Sequence, residues 1–335
     1  MNPSKIATLT VAIPTYKRVE ALEKTVREVL RQLNAENDRL LIIDNDPDGS
    51  GAKRLQNYAS DPRVRIIRNA CNIGGNANIM RCIECADTEY VWLLGDDDEV
   101  AGNALAVIHH DIEEHALPAH INYALRDKTR AAAVVRNTLR EYIGSIGLLN
   151  DFWLISNWVY HVPTAKRQLV YALNLLSSCA PHIVLAFGSL KYERARGVIS
   201  PHQVVIGHAF ERSDGGWSIL NFCLLRGTLF NFEMSSWERK ILRNKMADLM
   251  PVLRHCAFML ALKAVASKDG RGAREQYAQI YFTNFSGCGR FGLWAQYQLF
   301  SLLLHCPHLL IKIVKVTKGI AFYEKWRQYD HASRM

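Results

Sequence analysis

The chain has 335 residues, 49% hydrophobic and 22% charged, which excludes a disordered polypeptide or an integral membrane bundle and gives room for one large domain with an appendage, or two domains. Its formal charge is +9, but residues 235–335 hold 16 basic against 6 acidic side chains, a net of +10, whereas the preceding 234 residues carry a net of −1. Charge confined to the C-terminal third excludes a uniformly nucleic-acid-binding surface and points to a local anionic partner.

Met1–Thr8 lacks the apolar run of a signal peptide, so a cytoplasmic location is expected. Thr8 to Pro14 is a β-branched, apolar run stopped by proline, the pattern of a first buried strand. The polar loop Thr15-Tyr16-Lys17-Arg18 follows it. Leu22, Val26, Val29, Leu30 and Leu33 then fall at helical spacing. A second strand, Leu40 to Ile43, ends in Asp44-Asn45-Asp46-Pro47-Asp48-Gly49, and a third, Val64 to Ile67, ends near Asn69. Asn72-Ile73-Gly74 leads into a helix carrying Asn78, Ile79 and Ile83. On that helix Cys82 and Cys85 form the only CxxC; with no second pair to complete a zinc site, they read as small apolar residues.

The fourth strand, Tyr90 to Leu94, breaks into Gly95-Asp96-Asp97-Asp98-Glu99. Adjacent carboxylates repel, so a folded chain holds them in water or around a cation. Strands alternating with helices predict a doubly wound α/β sheet, whose parallel order gathers the loops after each strand on one edge. Tyr16, Asp44, Asn72, Asn78 and Asp96–Asp98 should therefore converge, and a hard divalent ion shared with phosphate suits the acids. A solvated acidic loop is the alternative.

Ala12 to Arg18, Ile43-Asp44-Asn45-Asp46, Asn72-Ile73-Gly74 with Asn78, and Leu94 to Asp98 resemble the corresponding motifs of the family 2 glycosyltransferases, over about the first 110 residues. The resemblance implies a GT-A fold: a Rossmann-like, mostly parallel sheet flanked by helices, here with a C-terminal helical extension. It implies a metal-dependent, inverting transfer from a nucleotide-diphospho-sugar. Pro14, Thr15, Tyr16, Arg18, Asp44, Asn72, Gly74, Asn78, Asp96 and Asp97 would bind the donor, with Asp44 on the nucleobase and Asp96 near the ribose. Asp97 and Asp98 would hold Mg²⁺ or Mn²⁺. Two departures stand out. The family's first acid falls on Gly95, and Ala77 replaces a basic residue for which Arg81 is a substitute.

The implied domains are 1–234, comprising a nucleotide-sugar-binding half (1–110) and an acceptor half (111–234), and a basic helical region, 235–335. A helix is expected from Asn103 to His115, across the junction of the halves, and in the acceptor half Trp153 and Trp158 read as core more than as sugar platforms. The family's acidic pair that supplies the base is missing. Pro181-His182 stands in its place and resembles the abequosyltransferase-like subgroup, which adds dideoxyhexoses in O-antigen assembly. His182 is the candidate base and a core histidine the alternative; Glu211 and Asp214, in a glycine-rich loop, are its rivals.

In the tail, Lys312, Lys315, Lys318, Lys325 and Arg327 accompany Leu309, Leu310, Ile313, Val314, Phe322 and Trp326. That pattern fits a helix at an anionic membrane surface, at the inner face of the cell membrane, and suits a lipid-linked glycan acceptor. A basic cap on the catalytic domain is the alternative there. Two other functions remain open: an inactive GT-A scaffold, and a sugar-nucleotide nucleotidyltransferase, against which the glycine-free loop after the first strand argues.

Overall fold

The structure is a computed structural model that describes residues 7–34, 36–125, 130–147, 152–208, 226–245, 250–285 and 291–318. The chain divides into two compact units, Met1–Leu176 with Ala180–Glu211, and Ser177–Cys179 with Arg212–Met335. The boundary expected at 234/235 therefore falls inside the second unit.

The first unit begins as the sequence predicts. Strand β1 (Leu9–Thr15) is buried along its length except at Pro14, as a central strand covered on both faces must be. Helix α1 (Val19–Gln32) buries Ala21, Leu22, Thr25, Val26 and Val29, the stripe its spacing demands. Then follow β2 (Asp38–Asp44), a short α2 (Ser50–Arg54), β3 (Val64–Arg68), α3 (Gly75–Cys85) and β4 (Tyr90–Leu93). Cys82 on α3 is buried and unpaired, in keeping with the apolar reading of the CxxC.

The chain then departs from simple alternation. It forms β5 (Asp98–Val100), α4 (Ala104–Glu114), β6 (His120–Asn122), β7 (Val134–Arg136), α5 (Leu139–Ser145), β8 (Trp158–His161), α6 (Val162–Asn174), α7 (Pro181–Tyr192), β9 (Gly197–Ile199) and β10 (Val205–His208). Among the described residues eight strands make one sheet, ordered β3-β2-β1-β4-β8-β6-β9-β7, and β10 and β5 make a separate ribbon. Strands β3, β2, β1 and β4 are mutually parallel. Strand β8 runs antiparallel to both β4 and β6, β9 is parallel to β6, and β7 is antiparallel to β9. The C-terminal ends of β1 to β4 thus share one edge.

Leu9, Val11, Ile13, Leu22, Val26, Leu40, Ile42, Trp92, Leu105 and Ile108 belong to one apolar core between the sheet and its helices. Trp92 and Trp158 are fully buried, and each satisfies its indole N–H on a backbone carbonyl: Ser156 O at 2.8 Å and Phe152 O at 2.9 Å. Trp158 is thus core, as expected, whereas Trp153 is half-buried.

In the second unit the described residues form helices Ser236–Lys245, Met250–Ser267, Gly270–Phe285, Phe291–Leu303 and Pro307–Lys318. The last two meet at a bend of 117°. Pro307 opens the last helix, a position where its missing N–H costs nothing. Among the described residues no single helix is long and apolar enough to cross a membrane.

Candidate functional site

The site is assembled from the four loops that leave β1 to β4 on their common edge. After β1, Thr15 is buried and Tyr16 is 41% exposed. Lys17 takes a left-handed backbone (φ 57°) and places its ammonium 5.4 Å from the Tyr16 ring centroid. That sharp turn brings Arg18 back over the acids. Arg18 Nη1 lies 3.0 Å from Asp96 Oδ1 and 3.1 Å from Asp97 Oδ2. Thr15 Oγ1 donates to Asp96 Oδ2 at 2.7 Å. Asp96 is 4% exposed, and burial pushes its carboxyl up to about 6 against the opposing pull of Arg18 and Thr15. Burial works against the Arg18 charge too, but Asp96 and Asp97 outweigh it and its pKa rises.

The three aspartates do different things. Asp97 has the most open side chain, 18% exposed. Asp98 is buried in β5, and its Oδ2 accepts a short hydrogen bond from Ser156 Oγ. Ser156 Oγ in turn accepts the Gly95 N–H at 2.8 Å. A Cβ on Gly95 would lie 2.5 Å from Asp98 Oδ2 and 3.4 Å from Ser156 Oγ. No side chain fits where the family places its first acid, because Asp98 has folded back into that space. Gly95→Ala is expected to break the Asp98–Ser156 contact and to cost about 1–3 kcal/mol of stability, read by chemical denaturation.

The loop after β2 holds itself together. Asp44 is fully buried; its Oδ1 accepts the Asp46 N–H at 3.0 Å and its Oδ2 the Ala52 N–H at 2.8 Å. Expected on a nucleobase, the Asp44 carboxylate is occupied here in shaping the loop that enters α2. The residue that reaches across is its neighbour. Asn45 donates through Nδ2 to Asn72 Oδ1 at 2.7 Å, and its Oδ1 accepts from Asn69 Nδ2 at 2.9 Å and from the Ile73 N–H at 3.0 Å. Asn69 Nδ2 also reaches Asn78 Oδ1 at 2.8 Å, and Asn78 Nδ2 reaches Ile43 O at 3.0 Å. Four asparagines thereby lock the loops after β2 and β3 to the start of α3. Sequence reasoning picked out Asn72 and Asn78 but missed Asn45 and Asn69 as working residues. Their signal was present in asparagine recurring at strand ends.

Gly74 (φ 86°) is exposed in the turn before α3, in a conformation that favours glycine. Pro14 is partly buried at the end of β1. Arg81 stands nearly two turns into α3 and pairs with Glu84 at 3.8 Å rather than with the acid cluster.

His182 is not on an open surface. It is 1% exposed on α7, with Nε2 3.0 Å from the Phe152 carbonyl and its ring 6.1 Å from that of Trp158. This is the core alternative, and burial depresses its pKa to about 4. His120, buried against Tyr142, Trp158 and Tyr160, is lowered to about 3. Both rings accept protons near pH 6.5 only once unfolded. Their contribution to stability is therefore complete above pH 6.5 and is lost as pH falls toward 4 and 3. Asp96, with its raised carboxyl, acts in the opposite sense, losing its contribution as pH rises through about 6. The prediction is a loss of up to about 1.4 kcal/mol per pH unit for each histidine on acidification below 6.5. His182→Gln should flatten the slope by about one proton in denaturation curves at successive pH values. Glu211 and Asp214 lie outside the described residues, as do Phe322, Lys325, Trp326 and Arg327.

The acids supply the kind of donor a hard divalent cation takes. Asp96 and Asp97 already turn one oxygen each onto a single positive charge, the Arg18 guanidinium, and all are oxygen donors. Among the described residues the group whose three ligand atoms lie within 4.8 Å of one another is not these aspartates but His110, Asp111 and Glu114, where Asp111 accepts from Ser200 and pairs with His202.

A mostly parallel sheet with buried acids and amide-locked loops at its C-terminal edge is the architecture of a GT-A fold. Residues 10–170 match the family model described as glycosyl transferase family 2, and the chain carries a domain of that family. Among curated proteins it resembles the abequosyltransferase RfbV of Salmonella typhimurium, 27% identical over 111 residues, covering 32% of this chain and 33% of that protein. It likewise resembles the GalNAc(5)-diNAcBac-PP-undecaprenol beta-1,3-glucosyltransferase of Campylobacter jejuni, 27% identical over 107 residues, 32% of this chain and 35% of that one. The likeness thus spans about a third of the length of these relatives. Among solved structures, S. aureus TarS 1-349 in complex with UDP-GlcNAc superposes with a TM-score of 0.58 at 13% identity, covering 98% of this chain and 90% of that one. The mannosyltransferase PcManGT of Pyrobaculum calidifontis, in complex with GDP-Man and Mn²⁺, gives 0.52 at 12%, covering 94% and 88%. At such identities the agreement speaks for the fold.

Proposed function

We propose that the chain is a metal-dependent, inverting glycosyltransferase of cell-surface polysaccharide (O-antigen) synthesis, moving a sugar of the dideoxyhexose class from a nucleotide-diphospho-sugar to a lipid-linked glycan. The observation that carries this is the convergence of Thr15, Arg18, Asp96 and Asp97 on the edge where the asparagine-locked loops end. The named activities of the Salmonella and Campylobacter relatives support the sugar class and the lipid-linked acceptor.

In this reading the exposed Tyr16 ring offers a face to the nucleobase and Asn72 a rim group beside it. Asp96, fixed by Thr15, faces the ribose. Asp97 would hold Mg²⁺ or Mn²⁺; Asp98, engaged by Ser156, keeps the turn in shape and would add its carboxylate only by giving up that bond. The cation would supply Lewis-acid stabilisation of charge on the leaving diphosphate. Arg18, released from the acids, turns its guanidinium to the donor phosphates. The proton of the acceptor hydroxyl goes to Asp214 or Glu211 rather than to His182, which is buried in the core.

A membrane-surface role for the C-terminal helices fits the exposure of Phe291, Trp294, Leu302, Leu309, Ile313 and Val316 beside exposed Lys312 and Lys315. In this reading the acceptor's lipid lies at the inner face of the cell membrane. The test is thermal stability against UDP, GDP, CDP and dTDP, each with Mn²⁺ and with EDTA. A metal-dependent rise for one nucleotide supports the reading; a cooperatively folded sample that responds to none of them counts against it.

A further inference from the structure

The second unit contains a basic groove that sugar transfer does not account for. Helix Ser236–Lys245 opens on a reciprocal cap: the Ser235 N–H donates to Glu238 Oε2 at 2.7 Å, and the Glu238 N–H to Ser235 Oγ at 3.2 Å. Glu238 is the helix's only acid, and the cap occupies it, while Arg239, Lys240, Arg243 and Lys245 follow. Ser236, Arg239, Lys240 and Arg243 line a cavity of about 420 Å³. Their spacing of three, one and three residues sets them along one helix face. The Arg243 guanidinium is held 5.0 Å over the Phe230 ring, and Arg239 Nη2 donates to Met234 O at 3.4 Å. Two of the cations are thereby given a fixed place. Among the described residues neither Arg239 nor Lys240 has a carboxylate partner. Trp237, 40% exposed, flanks the groove.

Like charges gathered on one face, near the positive end of a helix whose own acid, Glu238, is taken up by the cap, raise the potential for an anion. We propose that this groove binds a phosphoryl group. Arg239 and Arg243 supply planar, paired donors, Lys240 a point charge, and Ser236 its hydroxyl and the first-turn N–H. The same chemistry has two sources, a soluble or lipid-linked diphosphate and the headgroup of an anionic phospholipid. The proposal stands apart from the acid cluster of the first unit and does not require it.

The experiment uses the full chain in EDTA, so that the acid cluster holds no cation. Inorganic pyrophosphate is titrated calorimetrically. Sedimentation with phosphatidylcholine vesicles, plain or doped with phosphatidylglycerol, is measured in parallel. Saturable pyrophosphate binding is expected, weakened about tenfold in Arg239→Ala/Lys240→Ala and unchanged in Lys312→Ala/Lys315→Ala. If the first variant also loses the doped vesicles, the headgroup is a source; if it keeps them, the soluble or lipid-linked diphosphate is. Absent pyrophosphate binding, or equal binding in the wild type and a folded variant, overturns the proposal. Lys240→Glu, at an exposed position, serves should the double variant fail to fold. The Mn²⁺-dependent nucleotide response should survive in all of these variants, so failure here and failure of the transferase reading are separately visible.

Discussion

Asp97→Asn should abolish the metal-dependent stabilisation by nucleotide and lower sugar transfer by about a thousandfold, the equivalent of several kcal/mol of charge stabilisation. Asparagine keeps the shape and one oxygen but removes the charge that a hard cation selects. The fold should tolerate the change. The recorded partner of Asp97 is Arg18, whose side chain is 39% exposed, and ion pairs of that kind contribute about 0–1 kcal/mol. Asp96→Asn is the contrasting variant. Its carboxylate is buried and bonded to Thr15, so it should affect donor placement more than ion binding. Calorimetric Mn²⁺ titration in the presence of nucleotide separates the two. An Asp97→Asn protein that still binds the ion would move the metal site elsewhere.

Asn45→Ala should weaken both the fold and donor binding. It removes three hydrogen bonds at once and leaves the buried Asn69 amide short of an acceptor. An orphaned buried polar group costs about 1–3 kcal/mol; the Asn72 and Ile73 groups, being exposed, regain water and add less. The larger consequence is local. Without Asn45 the loops after β2 and β3 lose their tie, so nucleotide affinity should fall together with the denaturation midpoint. Asn45→Asp retains both acceptor contacts and should recover most of the stability. Equal loss in the two variants would show that the Asn72 contact, not the Asn69 and Ile73 pair, holds the loops.

The amino-acid sequence determined the first half of this protein. Runs such as Leu9–Thr15 and Leu40–Ile43 are long and apolar enough to be central strands, and the stripe Leu22, Val26, Val29 can only be one face of a helix packed on them. Acid and amide residues at each strand's C-terminal end then define the ligand edge wherever the sheet is parallel. The tertiary structure alone decided what each of those residues does. Strands β5, β6, β7 and β9 have three residues each, too short for periodicity to reveal, and they exist because a distant partner pairs with them. Asp96 is set by Thr15, 81 residues away, and Asp98 by Ser156, 58 residues away. Asp44 and His182, both expected to face a ligand, are turned inward by the Ala52 amide and the Phe152 carbonyl. Burial patterns of long elements are written locally, residue by residue. Which carboxylate oxygen or ring nitrogen stays open is decided by hydrogen-bond partners that only the folded chain brings within 3 Å or so.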